Sequence, residues 1–193
     1  MIFVPSIIAF GVIVAAYVNL GAKLATLRHD GVLKRIRTTP LSATAYLSGV
    51  LGSTAATTLA ITVCTGAIGA LAFGAVPRLS GMAEIAGGLV LGVMCFGSLG
   101  LALSSLARSA ESASPIANAS YLPVAIMSGI FDPTFSVPRW LSIAIGFLPV
   151  RALAQILEHG YTPVAKAPLT DVLVLLGWTA LGCALTTWRF RWH

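Results

Sequence analysis

Charge is missing from this chain in long blocks. From position 2 to position 22 there is no Asp, Glu, Lys, Arg or His, and the run closes only at Lys23. A bilayer core about 30 Å thick is crossed by roughly 20 apolar residues in a helix, so a run of that length predicts a membrane span. Comparable runs recur within 46–73, at 85–106 ahead of Arg108, at 112–131 ahead of Asp132, and at 172–188. Over the 193 residues, 57% are hydrophobic and only 9% charged, with a mean hydropathy of +0.91, far from the balance of a soluble domain. The expected fold is an all-α integral membrane protein of about five transmembrane helices, occupying 1–193 as one domain. The apolar piece at 140–150 is too short to cross and reads as re-entrant or interfacial.

Orientation follows from Lys and Arg, which collect in cytoplasmic loops. Lys23, Arg28, Lys34, Arg35, Arg37, Arg108, Arg189 and Arg191 fall on one side of the expected spans, against Arg78, Arg139, Arg151 and Lys166 on the other. The first side is expected to be cytoplasmic. The net charge of +6 is thereby a topology signal and a contact with anionic lipid. No nucleic-acid motif accompanies it, so no nucleic-acid partner is expected. The first span starts at Met1 without a charged leader, which argues against a cleaved signal peptide. Cys64, Cys95 and Cys183 are odd in number and lie in expected spans, where they read as packing residues and not as a disulfide framework. Gly88 and Gly92 form G-x-x-x-G, and Gly49 with Ser53 repeats the spacing. Such pairs let membrane helices approach closely, within one chain or across a dimer seam.

Several function classes are disfavoured. The first four expected spans contain no Asp, Glu, Lys, Arg or His, the groups that ion-coupled transporters place at mid-membrane. His29, His159 and His193 are scattered, and neither H-E-x-x-H nor a paired-Asp motif is present, which argues against a membrane-embedded enzyme such as a lipid-modifying transferase. No metal site and no catalytic residue is expected. The phosphate-binding loop G-x-x-x-x-G-K-[ST] is absent too, so any ATP that powers this chain is hydrolysed on another one.

The segment LRHDGVLKRIRTTPLSATAY, 27–46, reads as a short amphipathic helix. Val32, Leu33 and Ile36 supply apolar contacts, Lys34, Arg35 and Arg37 a basic face, and Pro40 a stop. A plain topogenic loop satisfies the same charge count.

In this loop, HDGVLKRIRTTPLS resembles the E-x-G-x-L-K-R-L-R-x-T-P-L motif of ABC-2 type permease subunits, the group that contains daunorubicin-type drug exporters. FVPSIIAF upstream, SGIFDPTFSVPRWL downstream (against S-G-x-x-x-P-x-x-x-x-P-x-W-L) and FLPVRALAQIL extend the resemblance in order along nearly the whole chain. Asp30 stands where Glu is more usual, and the chain is similar to the family from its second span onward, without the usual first one.

The resemblance implies a membrane-spanning permease subunit of an exporter in the plasma membrane, driven by an ABC ATPase subunit. ATP and Mg would be bound by that partner, and this chain would bind no cofactor. A second permease half, identical or different, is implied as well. Loop 23–45 would hold a coupling helix that docks on the ATPase through Asp30, Gly31, Leu33, Lys34, Arg35, Arg37, Thr39 and Pro40. Region 132–166 would be an external re-entrant segment, with Pro133, Pro138, Trp140 and Pro149 forming either a gate or a structured outer loop that closes the bundle. Arg151 and Glu158, seven apart, would share a helical face there. Uncharged spans favour a drug-like or lipid-like amphiphile over a sugar polymer as cargo. An accessory membrane subunit without transport of its own is the alternative.

Overall fold

The computed structural model describes residues 3–29, 43–106, 110–127, 139–162 and 169–189. Every regular element among them is helical, and none is a strand. In a bilayer this follows from hydrogen bonding, because an isolated helix satisfies its own backbone where no water is available. Helix α1, Phe3–Ile13, passes through a π-helical segment, Val14–Asn19, into α2, Leu20–His29. Then come α3, Ala43–Phe73; a 3₁₀ turn, Leu79–Gly81; α4, Met82–Leu106; α5, Ala110–Met127; α6, Arg139–Gly146; α7, Pro149–Tyr161; and α8, Leu169–Arg189.

Among the described residues four helices are long and apolar enough to cross a membrane: Phe3–Leu27, Ser48–Phe73, Leu79–Ser105 and Leu169–Trp188. They coincide with the runs at 2–22, 46–73, 85–106 and 172–188. The first helix continues past Lys23 to His29, so the segment expected as a loop from 23 begins as helix. The run at 112–131 corresponds to α5, which is not among the four. Its 18 residues include Glu111 and Asn118, and Pro115 and Pro123 sit inside the helix, so it is both shorter and less apolar than those four.

Close approaches set the directions of the helices. Gly11 faces Ile61 and Gly69 faces Val4, so α1 and α3 are antiparallel. Gly92 faces Val12 while Gly21 faces Gly100, so the first helix and α4 are parallel. Cys95 meets Thr179 and Gly182 meets Ser98, which makes α8 parallel to α4 as well. The ends at 29, 43, 106, 110 and 189 therefore lie together, at the end of the bundle toward which Lys23, Arg28 and Arg189 are placed; we call this the basic end and the opposite one the distal end.

The core is the first helix and α4. Ile8, Ala9, Val12, Ile13 and Ala16 are 0–1% exposed, because small residues on both sides bring backbones together where van der Waals packing drives association. By contrast, α3 and α8 have only 11% of their most apolar stretch buried, against 61% for the first helix. They form the outer wall. Helix α3 ends at Gly74, whose φ of +63° needs no Cβ; its N–H bonds to Ala70 O, and that of Ala75 to Gly69 O.

Candidate functional site

Two short helices, α6 and α7, separate α5 from α8, and their junction enters the bundle. Ala144 and Ile145 accept bonds from the amides of Phe147 and Leu148, and Leu148 is extended, so the chain turns sharply there. Pro149 opens α7, where its lack of an N–H removes nothing and its fixed φ suits a first helical position. The tip is held by Trp178, whose Nε1–H donates to Phe147 O at 2.8 Å. Trp178 lies nine residues inside α8, so the tip sits about 14 Å from that helix's distal end at 1.5 Å per residue. From there α7 runs outward, with Val150, Ala152, Leu153, Ile156 and Leu157 buried.

The glycines of α4 make room for α7. A Cβ at Gly92 would lie 3.0 Å from both methyls of Leu153, and one at Gly88 would lie 2.8 Å from Ile156. At the distal end Gly81 and Gly160 touch backbone to backbone. A polar clasp closes this end. The Arg78 amide donates to Gly160 O at 3.1 Å, Arg78 Nη2 donates to His159 O at 3.0 Å, and His159 Nδ1 meets Glu84 Oε2. Carbonyls at a helix C-terminus lack partners within the helix and carry partial negative charge, so an arginine there meets both needs. Next to the clasp, burial pushes the Tyr161 phenol above its ordinary value.

Below the tip, toward the basic end, lies a cavity of about 280 Å³. Tyr17 of the π-helical segment, Phe96 and Leu103 of α4, Ser120 and Tyr121 of α5, Pro149 of α7 and Trp178 and Leu181 of α8 line it. The Tyr17 hydroxyl is 2.8 Å from Ser120 Oγ, and Tyr121 packs edge-on to Tyr17 with ring centroids 6.4 Å apart. π-helical turns are rare and concentrate at functional sites. Here the widened turn abuts Gly100, where a Cβ would lie 2.8 Å from Ala16 O and 3.0 Å from Tyr17 O. Among the described residues no charged side chain lines the cavity.

A family model described as ABC-2 type transporter matches residues 1–161, well over half of the chain and as far as the last residue of α7. The chain belongs to the ABC-2 type transporter family. It is thus a membrane permease component of an ABC-type transport system. ABC-2 permease domains generally work with ABC ATPase subunits. No curated protein matches the chain.

The site residues named from the sequence of this ABC-2 domain fall in three groups. Asp30, Gly31, Leu33, Lys34, Arg35, Arg37, Thr39 and Pro40 lie outside the described residues, as do Pro133 and Pro138. Trp140 falls in the first turn of α6, and Pro149 is buried at the tip. Gly88 and Gly92 face α7 of the same chain, whereas a Cβ at Gly49 would meet nothing within 4 Å. Arg151 acts electrostatically on Asp171 of α8, a partner that helical spacing along α7 did not indicate. Sequence reading missed the Arg78–Glu84–His159 clasp and the cavity residues Tyr17, Ser120 and Trp178. Hydroxyl and indole groups inside apolar runs were the available signal. Among the described residues no three His, Cys, Asp or Glu side chains are grouped to hold a metal.

Proposed function

We propose that this chain is the membrane-spanning half of an ATP-driven exporter in the plasma membrane that moves a drug-like or lipid-like amphiphile. Family membership over residues 1–161 carries the reading. ATP and Mg belong to a separate ABC ATPase subunit, since the sequence has no phosphate-binding loop, and this chain binds no cofactor of its own. A second permease half completes the pathway, and the surrounding lipid is the remaining partner. The exposed apolar faces of α3 and α8 supply surface for both. The loop from Asp30 to Pro40 is the coupling element, with Asp30, Gly31, Leu33, Lys34, Arg35, Arg37, Thr39 and Pro40 as its contacts to the ATPase. A rigid helix at that point carries a rigid-body motion into the bilayer, as alternating access requires. The region 132–166, with Pro133, Pro138, Trp140 and Pro149, is the external gate.

A tagged pull-down from native membranes in mild detergent tests this. An ATPase with a phosphate-binding loop should co-purify, and Arg35→Glu with Arg37→Glu should lower its recovery at least tenfold while insertion is unchanged. Recovery of the folded chain without any ATPase would instead favour an accessory subunit.

A further inference from the structure

A groove of about 500 Å³ runs along α8, walled by Thr170, Leu173, Val174 and Gly177 of that helix and by Phe147 of the α6–α7 junction. It shares Trp178 and Leu181 with the chamber of about 280 Å³ beneath the tip, so one space begins where the other ends. Among the described residues no charged side chain lines either. From Thr170 to Leu181 the groove is about 16 Å long at 1.5 Å per residue, and one leaflet of a hydrocarbon core about 30 Å thick is about 15 Å deep. Trp178 lies at the middle of the span Leu169–Trp188, so the groove leads from the distal surface of the membrane to its midplane. Phe147 and Leu173 are 65% and 61% exposed, which makes the groove continuous with the apolar outer face of α8 and opens it to hydrocarbon. What occupies it must be thin. An α-helix 10–12 Å across would enter a space of 280 Å³ for less than one turn, whereas an alkyl chain is a single row of methylenes.

We propose that one acyl chain of a distal-leaflet phospholipid lies in this groove, with its ester end beside Thr170 and its terminal methyl beneath the tip, against Trp178 and Leu181. The site holds resident lipid, so it assumes neither an ATPase nor transport. Leaving the bilayer for the groove brings no hydrophobic gain, because lipid tails are as apolar as leucine. Dispersion contact with the walls retains the chain, in a hollow whose lining otherwise lacks those contacts. Trp178 is a fixed wall, since its N–H is bonded to Phe147 O.

The test is photocrosslinking of the full chain in phosphatidylcholine vesicles that contain a trace of phosphatidylcholine with a diazirine at the end of one acyl chain. Adducts are mapped by mass spectrometry. Leu59 of α3 is the reference, being 58% exposed and, by the Gly11–Ile61, Gly92–Val12 and Cys95–Thr179 approaches, close to Trp178 in depth. Adducts at Trp178 and Leu181 should exceed those at Leu59 by roughly fivefold or more, the yield of several added dispersion contacts. Gly177→Phe fills the groove where an added Cβ meets nothing within 4 Å, so the fold tolerates it, and the excess should disappear while Leu59 labelling is unchanged. Gly52→Phe, at an equally open position on α3, should leave the excess in place. Helical circular dichroism and monodisperse elution confirm that each variant is folded. Equal labelling of Trp178 and Leu59 would mean bulk lipid only and would overturn the proposal. So would an excess that survives Gly177→Phe, or a groove without adducts, the result expected if a second copy of the chain covers it.

Discussion

Single atoms decide the packing of this molecule at its glycines, which are not equivalent although they look alike in the sequence. At Gly100 the neighbours of an added Cβ are the carbonyl oxygens of Ala16 and Tyr17, backbone atoms that cannot rotate away. At Gly87 an added Cβ meets nothing within 4 Å. Gly100→Ala should therefore destabilise the protein by about 1–3 kcal/mol, as overpacking of a filled interior does. Gly87→Ala should be neutral or stabilise by up to about 1 kcal/mol through helix propensity. Thermal unfolding of the two variants in one detergent checks this, and equal midpoints would contradict it. The sequence marks both positions only as Gly. G-x-x-x-G spacing singles out Gly88 and Gly92, and each does face α7, but the tightest backbone contacts are at Gly81, Gly100 and Gly182, outside that motif.

Elements are held here by their ends. Helix α7 has 13 residues, too few to span a bilayer, and it is anchored by Trp178 at its inner end and by the Arg78–Glu84–His159 clasp at its distal end. Arg78→Ala combined with Glu84→Gln removes the side-chain half of the clasp and leaves the Arg78 amide bond to Gly160. Hydrogen exchange of the amides from Ile156 to Tyr161 should then quicken about 5- to 150-fold, corresponding to about 1–3 kcal/mol. Exchange at Val12 and Ile13, deep in the core, should be unaltered. Acceleration equal in both places would mean global loosening and not a released helix end. Only the place of this element between spans was legible from sequence, since the short apolar piece expected at 140–150 covers α6 and just the first two residues of α7. Its clasp was not, because Arg78 and His159 are 81 positions apart and only the path of the chain brings them together.

The whole molecule separates an inner pair of helices from an outer wall. Phe3–Leu27 is mostly enclosed, whereas Leu59, Val63, Ile68 and Leu71 of α3 and Leu173, Leu181 and Trp188 of α8 are exposed. All of these helices are comparably apolar, so hydropathy does not distinguish the helix that meets lipid or a partner from the one that meets its own chain. A lipid-soluble carbene photolabel applied to membranes should mark α3 and α8 several-fold more heavily than residues 8–20. Uniform labelling would count against this arrangement. Heavy marking of α8 with protection of α3 would place the second permease half against α3.

The number of long uncharged runs determined that the chain is a helical membrane protein, because hydrocarbon leaves the backbone no other partner than itself. Local patterns also marked the limits of the runs at 73 and 106 and the short piece ahead of the last span. The order of motifs pointed to the ABC-2 family without any contact being known. Tertiary structure decided which of several equally greasy helices is central, which glycines touch, and that Tyr17, Ser120 and Trp178 share one chamber. Those outcomes depend on the directions and depths of five separate stretches of chain. Van der Waals fit between helices, unlike hydropathy, is a property of pairs and cannot be read one residue at a time.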